Sequence, residues 1–190
     1  MRLSLFHEFT HSHPFPHIVL NNFLVTKRAN SLLTALKSQV LSRKSSDLFD
    51  FLQTSDLSAS KNPVLKQFFK KLNSPEMFFW IKQTTGQSVR KASLAGFCYE
   101  SGDYLLPHDD RLEGRKIAWI LNLSKGFTSK DGGCLELFAT KNKKPTLIMK
   151  KIPPTYNTLT LFKVSPTSFH QVSELRSNKK RYSLGGWFYA

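Results

Sequence analysis

The spacing of hydrophobic positions along the chain changes once, near Gly86. Before it, apolar residues recur at intervals of three and four. Leu32, Leu33, Leu36, Val40 and Leu41 make one stripe over 31–41, which predicts an amphipathic helix. Pro63 suits the first turn of a second helix over 62–72. Ser74 and Pro75 supply a cap and first turn for a third, carrying Met77, Phe78, Trp80 and Ile81. The polar stretch from Asp50 to Asn62 reads as a loop, and the Pro-containing segment that holds His7, His11, His13 and His17 reads as irregular. After Gly86, short runs of β-branched and aromatic residues alternate with Gly, Pro, Asn and Asp. They predict strands near 91–99, 116–123, 133–138, 145–151, 157–164, 168–174 and 181–189. Helices followed by closely spaced strands argue for an α+β chain, a β-sandwich or barrel with a helical support layer.

The length of 190 residues suits one domain, with 1–86 a mainly helical support region and 87–190 the β core. A hydrophobic share of 40% and an aromatic share of 13% fill a core and exclude wholesale disorder. No apolar run approaches the ~20 residues of a membrane-spanning helix. The opening MRLSLFHEFTHSHPFPHIVL is broken by His, Glu and Pro where a secretory signal is continuously apolar. The expectation is an intracellular protein, cytoplasmic or nuclear, without a membrane partner. Cys98 and Cys134 are too few for a disulfide scaffold and sit in apolar, strand-like contexts.

Charge adds one feature. Against 13 Asp+Glu stand 28 Lys+Arg, a net charge of +15. That excess either draws acidic partners such as a ribonucleoprotein or is simply a soluble, Lys-rich surface. The basic residues fall in short clusters, Lys70-Lys71, Lys143-Lys144, Lys150-Lys151 and Lys179-Lys180-Arg181, with no RNA-recognition motif, zinc finger or basic helix beside them. Oligomeric state leaves no signature in the sequence.

Ionisable groups concentrate at three places inside strand-like sequence: Pro107-His108-Asp109-Asp110, Ser168-Phe169-His170 and Arg181-Tyr182-Ser183. His-x-Asp followed much later by one His is the order that a two-His, one-carboxylate metal face requires. Side chains two apart on a strand share a side, so His108 and Asp110 would grip one ion while His170 closes the triangle from another strand. Three ligands on one face leave positions open, as in non-haem Fe(II) oxygenases. Arg181 downstream suits a bidentate pair with the far end of a dicarboxylate, and Ser183 would face the same side. Asp109 is the intervening residue, expected to point away from the ion, with a role as an alternate ligand the other reading. The four N-terminal histidines lack an accompanying Cys or acidic cluster and read as solvated. Asp131-Gly132-Gly133 lacks the helix and Lys-Ser/Thr pair of a phosphate loop and reads as a tight turn between strands. Phe78, Phe79 and Trp80 read as helix-on-barrel packing, whereas Trp187 and Phe188 belong either to the pocket or to the core.

The stretches YESGDYLLPHDDRLEGRKIAWILNL, DGGCLELF and NTLTLFKVSPTSFHQVSELRSNKKRYSLGGWF resemble the prolyl-hydroxylase branch of the Fe(II)/2-oxoglutarate dioxygenases, and most closely the ribosomal prolyl 3-hydroxylases. DLFDFLQTSDL and FPHIVLNNFL extend the likeness upstream, so that it runs from about Phe15 to Tyr189. The resemblance implies a double-stranded β-helix, or jelly roll, with N-terminal supporting helices. It implies Fe(II) on His108, Asp110 and His170, with 2-oxoglutarate as cosubstrate, dioxygen, and ascorbate as an accessory reductant. It further implies that Arg181 pairs with the remote carboxylate of 2-oxoglutarate, that Ser183 lies near it, and that Tyr99 lines the cosubstrate pocket. The implied reaction hydroxylates a prolyl residue of a small-subunit ribosomal protein, releasing succinate and CO2. The same chemistry on another substrate and a non-catalytic binding module are the other readings; the intact set of His108, Asp110, His170 and Arg181 argues against the second. Two departures stand out. Where the family offers a tyrosine to the 2-oxoglutarate tail, Ile120-Leu121-Asn122-Leu123 places Asn122. The eukaryotic members continue into a second, non-catalytic barrel, and this chain ends at Ala190.

Overall fold

The computed structural model describes residues 4–190. Its strands are β1 (His17–Leu20), β2 (Ser42–Ser46), β3 (Phe49–Gln53), β4 (Lys91–Ala92), β5 (Ala95–Tyr99), β6 (Tyr104–His108), β7 (Arg115–Asn122), β8 (Leu135–Lys141), β9 (Lys144–Ile152), β10 (Thr158–Lys163), β11 (His170–Val172) and β12 (Arg181–Tyr189). They join one antiparallel sheet in the order β1-β10-β7-β12-β5-β3-β6-β11-β8-β9, with β2 added to β3 and β4 to β12. β3 pairs with β5 through Leu52 and Cys98, and with β6 through Phe49 and Leu105. One strand thus leads the sheet from its first layer into its second, giving the curled double-stranded β-helix.

Period-two alternation explains how the layers are filled. On β7, Ile117, Trp119 and Leu121 enter a core shared with the helices, while Ala118 and Ile120 face inward against Leu135, Leu137 and Phe162. The helices are α1 (Leu5–Thr10), α2 (Thr26–Lys37), α3 (Pro63–Leu72) and α4 (Pro75–Thr85). Leu32, Leu36, Leu65, Phe68, Leu72 and Ile81 bring their apolar faces onto the first layer. α2 lies so close to β5 that a Cβ on Gly96 would sit 2.2 Å from Leu36 Cδ1. Asn62 and Ser74 cap α3 and α4, each taking backbone N–H groups of the first turn. α4 closes at Gly86, whose φ of 73° is the left-handed conformation glycine adopts without strain.

Several expectations are corrected. The first long helix spans 26–37, and Val40, expected on its buried stripe, is 85% exposed beyond its end. The expected loop from Asp50 holds β3 and only then a short 3-10 turn, because β3 takes its partners from distant β5 and β6. The segment before Asn21 forms α1 and β1, and β1 docks on β10. β1, β2 and β3 all precede residue 87, so that position does not divide a helical region from the sheet. Phe79 is exposed, since the 100° helical step turns it away from Phe78 and Ile81. Cys98 and Cys134 are buried and free. No described helix is long and apolar enough to cross a membrane.

His17, expected to be solvated, is buried at the start of β1 with Nδ1 donating to Phe15 O at 2.7 Å. Burial holds its pKa down at about 4, against an ordinary value of 6.5. Between those values the unfolded chain takes up a proton that the folded chain refuses, so stability present above pH 6.5 is lost as pH falls through this window. The loss from this residue is ~2 kcal/mol between pH 7 and pH 5. His17→Gln, which keeps a neutral donor for Phe15, is expected to flatten the decline by that amount in urea-unfolding midpoints measured at both pH values.

Candidate active site

His108 closes β6 and His170 opens β11, and the two are register partners across that ladder. Their rings therefore meet, with centroids 4.2 Å apart. Asp110 lies past the end of β6, at a φ of 61°. That left-handed turn, rather than the alternation of a strand, swings its carboxylate back toward the imidazoles, which corrects the expected same-side pairing. Oδ1 is 3.6 Å from His108 Nε2 and Oδ2 is 3.4 Å from His170 Nε2. All three donors fall within 4.8 Å of one another, the only such group of three among the described residues. Asp109 turns away and binds Arg111 Nε at 2.7 Å.

The backbone selects the tautomers. His108 Nδ1 lies 2.8 Å from Leu106 O, and His170 Nδ1 lies 2.8 Å from Ser168 O. A carbonyl only accepts, so each Nδ1 carries a proton and each Nε2 is the nitrogen turned toward the shared centre. Burial and the charge of His170 hold the His108 pKa down at about 4. For Asp110, burial pulls the carboxyl upward, but hydrogen bonding and charge from His170, then the charge of His108, outweigh it and set the pKa at about 2. At neutral pH the trio therefore presents an imidazole and a carboxylate ready to bind a cation.

Arg115, which the sequence reading did not single out, braces this turn. Its Nη1 donates to Asp110 O at 3.3 Å and lies 3.6 Å from Asp110 Oδ1. Its guanidinium stacks 3.4 Å from the centroid of the Trp187 ring. Trp187 lines the cavity and Phe188 joins the core beneath the helices, which settles their separate roles. Phe162 closes the other side of the site, with its centroid 4.5 Å from that of His170. The one sequence signal for Arg115 is its position five residues beyond Asp110, at the head of a strand.

The trio opens onto a cavity of about 330 Å³ between the layers, walled mainly by Phe49, Phe51, Phe97, Tyr99 and Leu135. Arg181, at the head of β12 and opposite Tyr99 in register, lines the same cavity and is 2% exposed. Its Nη2 donates to Asn122 Oδ1 at 3.2 Å, and its Cζ lies 4.9 Å from the Tyr99 ring centroid. Its Nε has no partner, and among the described residues no acidic side chain pairs with it. Burial lowers the Arg181 pKa and pushes the Tyr99 phenol upward, so Tyr99 stays neutral. Gly133 gives the arginine room, since a Cβ there would meet Arg181 Cδ at 3.1 Å. Gly132 lies against the backbone of Glu174, where a Cβ would be 2.0 Å from the carbonyl oxygen. The glycine pair thus ends the expected turn between β7 and β8 and is also a close backbone crossing. Ser183 lines the cavity; Asn122, expected at the cosubstrate, lies behind Arg181 and does not.

These residues fit the groups implied for them. Two imidazole Nε2 atoms and one ionised carboxylate converge on one point, the donor set that suits Fe(II) with open positions. A buried guanidinium without a counter-charge is costly unless an anion reaches it, and the far carboxylate of a dicarboxylic acid is such an anion.

Comparison with known proteins agrees. Residues 94–189 match the 2OG-Fe(II) oxygenase superfamily. Prolyl 3-hydroxylase OGFOD1 of Mus musculus is 38% identical over 183 residues, which are 93% of this chain and 33% of the mouse protein. Prolyl 3-hydroxylase sudestada1 of Drosophila melanogaster is 33% identical over 187 residues, 94% of this chain and 35% of the fly protein. The chain thus spans about a third of the length of these curated relatives. Among solved structures, a Pseudomonas putida prolyl-4-hydroxylase has a TM-score of 0.79 at 18% identity, covering 97% of this chain and 96% of that one. A Trichoplax adhaerens prolyl hydroxylase, in complex with a hypoxia inducible factor peptide fragment, has a TM-score of 0.76 at 17% identity, covering 97% and 87%. At such identity these two establish the shared fold. The matched segment runs from β5 through β12 and contains His108, Asp110, His170 and Arg181, and this chain belongs to the 2OG-Fe(II) oxygenase superfamily.

Proposed function

We propose that the protein is an Fe(II)- and 2-oxoglutarate-dependent dioxygenase that hydroxylates a prolyl residue of a protein, a small-subunit ribosomal protein, inside the cell. One observation carries the reading: the uncompensated Arg181 lines the same cavity as the converging His108, Asp110 and His170. In this reading those three hold the iron, Arg181 takes the distal carboxylate of 2-oxoglutarate and Ser183 stands beside it. With both groups bound, the site would supply oxidative chemistry in which dioxygen is divided, one oxygen atom going to 2-oxoglutarate as it becomes succinate and CO2 and the other into a C–H bond of the substrate.

The chain's own residues orient, exclude water and hold protons in place. Leu106 O and Ser168 O fix the imidazole protons on Nδ1. Arg115 fixes the Asp110 carboxylate from outside. Phe49, Phe51 and Phe97 make a dry wall against which a pyrrolidine ring packs. The prolyl substrate is supported by the identity to prolyl 3-hydroxylases over nearly the whole chain. A ribosomal substrate is supported by the motif resemblance and by a net charge of +15, which attracts the chain toward RNA-rich assemblies.

Mass spectrometry of ribosomal proteins is expected to show one added oxygen on a prolyl residue after incubation with the wild-type protein, and none with His108→Ala. Full succinate release by Asp110→Ala would overturn the assignment. Arg115→Met keeps a long side chain but loses both the bridge to Asp110 and the planar stack on Trp187. It is expected to weaken anaerobic Fe(II) or Co(II) binding by about tenfold, the usual scale for a lost outer partner of a metal ligand.

A further inference from the structure

Asn122 ends β7 between Thr158 on one side and Ser183 on the other, and is 3% exposed. Its backbone is pinned, because Asn157 N donates to Asn122 O at 2.8 Å while the Asn157 side chain bonds both N and O of Leu24. The amide is therefore delivered from a rigid corner. Its Oδ1 accepts a hydrogen bond from Arg181 Nη2 at 3.2 Å, and the neutral Tyr99 phenol is the other polar group beside the guanidinium. A buried guanidinium ordinarily meets a carboxylate, since charge without counter-charge is poorly tolerated away from water. Aspartate has the same shape as asparagine and would accept from Nη2 equally well. It would also cancel the charge facing the cavity.

We propose that Asn122 is a positioning residue: its neutral amide fixes Arg181 from behind the cavity wall while leaving the guanidinium charge free for the distal carboxylate of a 2-oxo dicarboxylic acid. The proposal rests on the reading of Arg181 given above. It revises the expectation that Asn122 touches the cosubstrate, because the side chain stops at the guanidinium and does not line the cavity. It also assigns a cost: the folded protein keeps an uncompensated cation so that a ligand can compensate it. Affinity for the dicarboxylate and stability of the free protein should then move in opposite directions when position 122 gains a negative charge. Structural damage moves them in the same direction.

The test uses the full chain loaded with Mn(II), titrated calorimetrically with 2-oxoglutarate and, separately, with pyruvate, a 2-oxo acid that has no distal carboxylate. Asn122→Asp is expected to raise the Kd for 2-oxoglutarate by about tenfold or more, the scale of a hydrogen bond between charged groups. Pyruvate binding is expected to stay within about twofold, and the metal-free variant to melt higher by about 2–4 °C, the shift worth ~1 kcal/mol in a chain of this size. Asn122→Leu, which removes the anchor without adding charge, is expected to weaken 2-oxoglutarate by about tenfold, to leave pyruvate unchanged and to lower the melting temperature. The proposal is overturned if Asn122→Asp binds 2-oxoglutarate within about twofold of wild type, if pyruvate affinity falls in parallel, or if its melting temperature drops. A wild-type protein that holds pyruvate as tightly as 2-oxoglutarate would instead remove the reading of Arg181 on which the proposal stands.

Discussion

The antiparallel pairing of β6 with β11 is the constraint on which the rest of the site depends. Register places His170 directly opposite His108, so the distance between the two imidazoles is set by a backbone ladder and not by flexible side chains. The ladder exists only because β3 leads the sheet from β5 to β6 and so starts the second layer. Everything inward of that bend follows: the cavity between the layers, its aromatic walls, and the approach of β12 with Arg181 from the far side. Helices α2, α3 and α4 matter to the chemistry indirectly, by covering the outer face of the layer that presents Arg181.

Polar groups inside this barrel are handled in two ways. Those that orient the imidazoles are satisfied locally, through carbonyls two residues earlier in the chain. Those that face the cavity are left short of partners: Arg181 Nε and Trp187 Nε1 are buried without any. In a core built for stability such atoms are costly. Here both line one cavity, the place where a bound ligand would supply the missing interactions.

Residue identity and order were the legible part of the site. His108, Asp110, His170 and Arg181 stand out because ionisable residues are rare inside runs that otherwise read as strands, and the structure brings all four to one cavity. Local geometry was not legible. A positive φ at Asp110 has no local code in a residue that is not glycine; it is held by Arg115, which reads in sequence as one more surface cation. β2, with the sequence Ser-Arg-Lys-Ser-Ser, has no apolar alternation at all and is a strand only because β3 offers it an edge. β3 reads as loop because its partners are β5 and β6, which no local window contains. β7, by contrast, is legible because it carries its own alternation between the helix-facing core and the interior.

Charge shows the same limit in a different form. Lys179-Lys180-Arg181 reads as one basic cluster, yet its members, two in the loop before β12 and one at the head of the strand, meet three fates. Lys179 pairs with Asp131 at 2.8 Å, Lys180 pairs with Glu100 at 2.5 Å, and Arg181 turns inward. Lys151 likewise reaches Glu136 at 3.0 Å. The lysines of these pairs are exposed while Asp131 and Glu136 are largely buried, and the pairs cancel charge locally and dismantle the patch that the sequence suggests. What survives is the net excess of +15, spread over the surface. A diffuse excess acts at a range set by the Debye length, about 8 Å at physiological salt. It therefore raises the encounter rate with a polyanionic assembly without dictating orientation on it. Orientation is left to local features such as the cavity, where Arg181 is buried with its Nη2 bonded to the neutral Asn122 amide.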